Sequence, residues 1–538
     1  MSRQKGKWSV LIVLSMAAFI MVIDSTAMNV SISNLVADLN TDIGTIQTIM
    51  SIYTLTMAVF MLPGAKVADI FGKKKVFLLG VAMYGVGTLT AALAVNTAML
   101  FVGWAIIEGL ASSLMMPTAL SLITSAYEGK ARAVAMSIYV AMSSVALAVG
   151  PLFGGLITTY LSWRFVFALE VLIVAFILIR HKTILGIECP QGDRSQKFDI
   201  PGTILSMLSL LSIISGALLS STYGWFEAKE PFNIFGLKIK NVSITFILLC
   251  TGAVFLALLI CWLVHAKKKN KPVLIDITVF KSRLYDFVLV INLFVQICLM
   301  GTMFVVSIYL QNVLKYNAFA TGLTLMPLSL MLFVTAFIAV KVTQKIPARF
   351  VVSFGALCVF IGALYMYYML SDGDMVSGIQ MIPAMIALGI GIGCTLSLTS
   401  NIALSDIDQC YSNQGSGMIT TVNNFGSSMS TSVIGSLFTS GIAGGILSAF
   451  ISKQSKYPDW FSSLTREQAA EKLQQGFEKV KVMNVTIDDI PAEKAEALNE
   501  IVIAGVNNSM MPIFIIIMSL AILASLIAAF LLKPKKKS

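Results

Sequence analysis

Four carboxylates stand where a carboxylate is costly. Asp24 lies in "MVIDSTAMNV", Glu108 in "WAIIEGLASSLMMP" and Glu170 in "SWRFVFALEV", while Asp286 opens a further apolar run. No Lys or Arg lies deep in these runs to neutralise them, although Arg132 and Arg164 sit near run ends. Desolvation disfavours the charged form of an acid, so such a group can take up a proton or bind a cationic ligand. Proton and cation competing for one acid is a simple exchange mechanism. Isolated acids inside membrane spans usually face a cavity or a partner, and a purely structural role is most expensive at the central position of Glu108. Asp24 has a structural alternative, a hydrogen bond to backbone or to Asn29. Glu170 is expected closer to the outer interface, and Asp286 at the cytoplasmic interface.

The elements that carry these acids are long apolar runs. Of 538 residues, 57% are hydrophobic and 12% charged, against about 25% charged in an ordinary soluble chain. Runs of roughly 20 apolar residues recur from end to end, the mark of an all-α polytopic membrane protein. Apolar length and polar interruptions predict fourteen spans: 8–30, 45–65, 75–95, 97–120, 132–156, 162–180, 199–221, 242–264, 285–311, 320–342, 350–370, 376–399, 416–446 and 508–532. Twelve would require two of these to merge or re-enter. The first is read as an uncleaved span, since no cleavage-like site follows its apolar core.

Basic residues give the orientation. Arg3, Lys5 and Lys7, then Lys66 and Lys73–Lys75, Lys130 and Arg132, "RHKTILGIECPQGDRSQK", "HAKKKNKPVLIDITVFKSR", "KVTQKIPAR" and the terminal "KPKKKS" all fall on alternate sides of the predicted spans. The facing loops "NLVADLNTD" and "SDGDM" have none. This positive-inside pattern puts both termini in the cytoplasm, in the cytoplasmic membrane, and accounts for the net charge of +11 without nucleic acid. One outer gap, "STYGWFEAKEPFNIFGLKIK", is an exception; an interfacial helix would accommodate its Lys238 and Lys240. In the long gap 446–507, "TREQAAEKLQQGFEKV", with a Thr465/Gln468 capping box, and "PAEKAEALNEIVIAG", starting at Pro491, read as an extracellular helical hairpin.

Seven scattered Cys and two His past span ends offer no metal or disulfide spacing, and no nucleotide loop is present. No metal, cofactor or enzymatic activity is expected. "AVGPLFGGLI" places Gly150, Pro151, Gly154 and Gly155 where helices can approach closely and bend. "ADIFGKKK" places Asp69, Gly72, Lys73 and Lys74 at a turn, where Asp69 can cap the next helix or latch onto another.

With these segments in view, the chain resembles the major facilitator superfamily, specifically its fourteen-span drug:proton antiporters. "IDSTAMNVSIS" (23–33), "AKVADIFGKKK" (65–75), "GPLFGG" (150–155), "SWRFVF" (162–167) and "YLQNVLKYNAFATGLTLMP" (309–327) are similar to family segments. The resemblance has departures: Ala105 stands where the family keeps Arg, Glu108 where it keeps Gln, and Glu170 where it keeps Asn. It implies a six-helix bundle over 1–180, two inserted spans over 199–264, and a second six-helix bundle over 285–532. Spans 1, 4, 9 and 12 would line a central cavity, with alternating access by rocking of the halves. Asp24, Glu108 and Glu170 are then the candidates for proton coupling in place of the missing Arg. Asp24, Glu108, Asn292, Gln296, Tyr309 and Gln311 are the candidate substrate contacts. The expected function is proton-coupled efflux of cationic or amphiphilic compounds by a monomer, with basic clusters touching membrane lipid headgroups. The alternative is export or flipping of a specific lipid or metabolite.

Overall fold

The computed structural model describes residues 2–127, 129–187, 198–228, 232–234, 237–239, 242–269, 271–343, 345–405, 412–453 and 492–531. The first expected bundle carries α1 (Ser2–Val30), the short α2 (Ile32–Asp38), α3 (Ile43–Phe71), α4 (Lys73–Ala92) and α5 (Thr97–Leu100). A π-helical segment, Phe101–Glu108, leads from α5 into α6 (Gly109–Ala126), followed by α7 (Gly129–Tyr160), α8 (Arg164–Ile179) and α9 (His181–Leu185). Next come α10 (Ile200–Tyr223) and α11 (Ile244–Lys268). The second part holds α12 (Arg283–Ile308), α13 (Ala318–Val342), α14 (Ala348–Ser371), α15 (Gly378–Ser405), α16 (Ser412–Met429), α17 (Gly435–Lys453) and α18 (Ala492–Leu531). A π-helical turn, Tyr309–Val313, follows α12, and another, Ser430–Ile434, joins α16 to α17.

Helix starts are marked by short polar side chains that satisfy otherwise orphaned amides. Asp42 accepts from Thr45 N, Asn96 from Met99 N, and Asn317 from Ala320 N. Asp199 does more: it accepts from Gly202 N at 3.0 Å, Trp262 Nε1 at 2.9 Å and Leu274 N at 2.8 Å, tying α10, α11 and the following loop together.

Among the described residues, eleven helices are long and apolar enough to cross a membrane, or twelve if a bent pair counts as one span. That pair, Val149–Tyr160 and Arg164–Ile179, turns by 119°. All fourteen expected segments fall on helix, but 132–156, 162–180 and 416–446 are not among the eleven. The chain is therefore a multi-pass, all-α membrane protein.

Two loop expectations change. Lys238 is not on an interfacial helix: Phe232–Ile234 (β1) and Leu237–Ile239 (β2) form an antiparallel hairpin, with Asn233 opposite Lys238. The apolar and polar residues of "FNI" and "LKI" alternate, a period that suits strands rather than helix. Lys240 lies outside the described residues, as does the first arm of the expected 446–507 hairpin with Thr465 and Gln468. The second arm is continuous with the last span, as α18.

Packing divides along the chain. The helix α1 packs on α7, and α4 on α6 and α8, while α14 packs on α15 and α18 and α13 on α15. The most extensive contacts between the parts are those of α3 with α16 and of α7 with α13. The α10–α11 pair leans on the first seam through Ile214, Leu55 and Val59, and Ser220 shares a 2.6 Å hydrogen bond with Ser436.

Candidate functional site

Asp24 on α1, Glu108 at the end of the π-helical segment and Glu170 on α8 converge, each fully buried. One carboxylate oxygen from each lies within 4.8 Å of the others. Trp104 Nε1 donates to Asp24 Oδ2 at 2.8 Å. Thr88 Oγ1 lies 2.9 Å from Glu108 Oε2 and 3.4 Å from Glu170 Oε2, and Tyr84 OH lies 3.2 Å from Glu170 Oε2. The other carboxylate oxygen of each acid, and the Tyr53 hydroxyl, has no hydrogen-bond partner.

The π-helical segment makes this convergence possible. Its wide turn ends at Glu108, and the facing helix offers Gly87, where a Cβ would stand 2.7 Å from Gly103 O and 2.8 Å from Glu108 N. Any larger residue at 87 would push the acid away. Ala105, at the position of the family's Arg, is buried in the apolar core, and no Lys or Arg among the described residues pairs with the three acids.

Charge bookkeeping follows from donors. Each ionised buried acid costs several kcal/mol after relaxation, against a total stability of about 5–15 kcal/mol for a typical fold. Three ionised carboxylates in this space are therefore costly unless a cation joins them. Thr88 has one hydroxyl proton. If it donates to Glu108, its contact with Glu170 is a hydrogen bond only when Glu170 carries a proton and donates back. Oxygens this close also fit around one small cation, whose ligand distances run about 2.3–2.6 Å for Ca²⁺.

An aromatic row closes one side. Tyr53 and Trp104 sit 5.5 Å apart, Trp104 and Phe167 5.8 Å, and Phe167 and Trp163 6.1 Å between ring centres. Trp163 Nε1 donates to Asp38 at 2.9 Å, and Arg164 forms an ion pair with the same carboxylate while lying 4.4 Å over the Trp163 ring. Partial burial works against ionisation of Asp38. The hydrogen bonds from Arg164 and Trp163 and the Arg164 charge outweigh it and hold this carboxyl below the usual range. At this Asp38 face the parts are locked together. Gly155 is pressed against Ala318 O, and Gly322 against Pro151 O; Phe319 N donates to Thr159 Oγ1 at 2.9 Å. Gly150 and Gly154 face Thr26 and Ala27 of α1 instead. One glycine motif thus serves packing both within and between the parts.

Between the parts lies a cavity of about 310 Å³. Its wall includes Ser25 and Thr26 of α1, Met57 of α3, Met116 of α6, Ser143 of α7, Gln296 and Met300 of α12, Ala336 of α13, Ser397 of α15, and Asn423 and Asn424 of α16. Expected spans 2, 5, 10 and 13 therefore contribute alongside 1, 4, 9 and 12. Of the candidate substrate contacts only Gln296 is in this wall. Asp24 and Glu108 are turned instead toward Trp104 and Thr88. Asn292 is buried and accepts a hydrogen bond from Thr399; the Tyr309 hydroxyl accepts from Val376 N at 3.0 Å, and Gln311 Oε1 from Ser33 N at 3.1 Å. These three stitch the fold together.

At the opposite, Asp69 face, Gly72 holds φ +97° between α3 and α4, a backbone conformation that glycine alone adopts freely. Lys74 Nζ donates to Leu185 O at 2.9 Å and Ile187 O at 2.8 Å, anchoring the turn to α9. Asp69 does not cap α4. It lines a small cavity of about 50 Å³ with Lys66, Lys73, Thr118 and Ser121, opposite Gln414 and Gly417 of α16.

Sequence reasoning missed Tyr84, Thr88, Trp104 and Tyr53, and it missed Asn423 and Asn424. For the last two a signal existed, adjacent amides in the otherwise membrane-like "TTVNNFGSSM".

Residues 14–431 match the model of the Major Facilitator Superfamily. The chain is 24% identical over 428 residues to multidrug resistance protein Stp of Mycobacterium tuberculosis (strain CDC 1551 / Oshkosh), covering 79% of this chain and 75% of that one. It is 26% identical over 439 residues to puromycin resistance protein pur8 of Streptomyces alboniger, covering 81% and 83%. It is 26% identical over 446 residues to cephamycin export protein CmcT of Amycolatopsis lactamdurans, covering 82% and 87%. In fold it is similar to a bacterial homolog of the human lysosomal transporter Spinster, with a TM-score of 0.57, 15% identity and 97% of each chain covered. The chain belongs to the Major Facilitator Superfamily, as a membrane transporter of small molecules rather than an enzyme.

Proposed function

We propose that this transporter is a proton-coupled exporter of amphiphilic compounds, in which Asp24, Glu108 and Glu170 carry the coupling protons and the central cavity carries the substrate. The observation that supports this best is the convergence of three buried acids, paired with no Lys or Arg among the described residues, next to the cavity wall. Ser25 faces the cavity while its neighbour Asp24 faces the cluster, so α1 connects the two sites. The names of the resistance and export relatives support the direction of transport.

In this reading the fourteen helical segments span the membrane as two six-helix bundles with α10 and α11 inserted, and both termini are cytoplasmic. The Asp38 face is then external. Its close packing leaves the cavity on the inner side of a closed outer gate. Proton entry to the cluster weakens its repulsion and favours one arrangement of the halves; proton loss favours the other. Rocking about the α3–α16 and α7–α13 seams exposes the cavity alternately. Asp69 and the Lys66–Lys73 pair serve the inner gate.

The test is transport in proteoliposomes under an imposed proton gradient, with fluorescent amphiphiles of differing charge. Glu108→Gln is expected to abolish gradient-driven export while the protein remains inserted and folded. Unchanged gradient-driven export in that variant overturns the assignment. Export driven by a sodium gradient but not by a proton gradient would instead make the cluster a cation site.

A further inference from the structure

We propose that the central cavity selects uncharged amphiphilic molecules bearing one compact hydrogen-bonding group, and that it discriminates against permanent cations. The inference rests on the reading of this cavity as the substrate site and narrows its substrate class. It departs from the cation preference that the buried acids suggest in the sequence.

The cavity wall carries no Asp, Glu, Lys or Arg among the described residues. Its apolar part is methionine-rich, with Met21, Met57, Met116 and Met300 contributing from four helices. Unbranched thioether chains adapt to varied shapes, so this part holds bulk without demanding a particular outline. Hydroxyls line it from several helices, whereas its amides all come from α12 and α16. Gln296 Nε2 donates to Ser427 Oγ at 2.8 Å, and beside them stand Asn423 and Asn424. Asn424 is 9% exposed. Its Nδ2 has no hydrogen-bond partner, and neither has Asn423 Oδ1. Both residues line the cavity, but these two atoms have almost no accessible surface, so each amide must turn about its side chain to meet a ligand; a buried group left without a partner gains from a ligand that completes it.

A permanent cation has no comparable gain. It leaves its hydration behind and meets dipoles but no counter-charge in contact. The acids are turned away from the cavity, hydrogen-bonded to Trp104, Thr88 and Tyr84, and the cost of ionising all three limits the field they project into it. A neutral ligand leaves less hydration behind, and its polar group reaches the α16 amides.

Two ligands of nearly equal shape separate the classes: triphenylphosphine oxide, neutral with a strong acceptor oxygen, and methyltriphenylphosphonium, a permanent cation. Equilibrium binding of each, radiolabelled, is measured on the purified full-length protein. The oxide is expected to bind about tenfold more tightly, the worth of one well-made buried hydrogen bond. Asn424→Leu is expected to remove most of that preference. Met300→Trp, which fills the cavity without touching the amides, is expected to weaken the oxide by a similar factor. Elution of both variants as monodisperse protein in size-exclusion chromatography shows that they are folded. Equal or tighter binding of the cation, no binding of either ligand, or oxide binding insensitive to both substitutions overturns the inference. Preferential oxide binding by a protein that moves nothing under a proton gradient upholds the ligand class while overturning the coupling proposed above.

Discussion

In the first part of the chain, α1, α8 and the π-helical segment bring three acids together in the protein interior. In the second, the interior polar groups are amides and hydroxyls: Thr399 donates to Asn292, Gln296 to Ser427, and Ser430 Oγ to Ile297 O. No fully buried Asp or Glu stands among the described residues from α12 onward. Both regions bury polarity within helices of similar apolar character, so the difference lies in what protonation does to them. Amides and hydroxyls keep one charge state, whereas a carboxyl has a neutral and a charged one. One half can therefore change its electrostatic energy with pH while the other presents a constant surface to the ligand. In the proposed function, coupling and recognition are separated across the cavity, and α1, with Ser25 on one side and Asp24 on the other, is where they meet.

The comparison can be broken most forcefully by moving an acid. Asn292→Asp places a carboxylate in the second half, fully buried and with no acidic partner to share a proton. If it ionises there, it is expected to cost about 3–5 kcal/mol, as an uncompensated buried charge does. Thermal unfolding of the detergent-solubilised protein at neutral pH measures it. A variant as stable as the parent would show that both halves tolerate acids equally.

A smaller effect sharpens the acid side. Thr88→Val removes the one hydroxyl shared by Glu108 and Glu170 at nearly constant volume. A lost hydrogen bond to a buried polar group is worth about 1–3 kcal/mol, which corresponds to roughly one to two pH units in the midpoint of pH-dependent transport. Thr399→Val, which removes the corresponding hydroxyl contact in the second half, is expected to leave that midpoint in place. Equal displacement by both substitutions would contradict the division of roles.

The smallest effect is at the Asp38 face. The side chains of Asp38 and Arg164 are 45% and 32% exposed, so their pair is worth only about 0–1 kcal/mol, at most about a fivefold change in the open population. Asp38→Asn should speed labelling of a cysteine placed behind Phe319 by no more than that. The pH sense is fixed by the lowered folded-state value of Asp38. The stabilisation is complete above the ordinary aspartate value, about 3.9, and is lost as pH falls through the lower folded value. The variant and parent should therefore differ at neutral pH and converge in strong acid.

Much of this was legible in the sequence because charge stands out in an apolar run. Asp24, Glu108 and Glu170 could be picked out singly, and the glycines of "GPLFGG" declared close packing before any helix was placed. Their convergence was not legible. It depends on a π-helical turn that no residue in "FVGWAIIE" announces, on the missing side chain of Gly87, and on Thr88, Tyr84 and Trp104, which look like ordinary span residues. The substrate contacts were harder for a related reason. Asn292, Gln296, Tyr309 and Gln311 are all polar groups near one another in sequence, but only Gln296 reaches the cavity. The others satisfy backbone or side-chain partners across helix junctions, and sequence spacing cannot tell a structural amide from a ligand-facing one. The pairing of 232–234 with 237–239 was legible in its alternation, but Lys238 drew attention to charge instead.

The most direct test of the central claim counts protons. Ligand is added to purified protein in weakly buffered solution near neutral pH, and the proton change is read with an indicator dye. The parent is expected to exchange protons with solvent on binding, and Glu108→Gln is expected to lose most of that exchange while still binding ligand. An unchanged proton signal in Glu108→Gln, repeated in Asp24→Asn, would contradict the account.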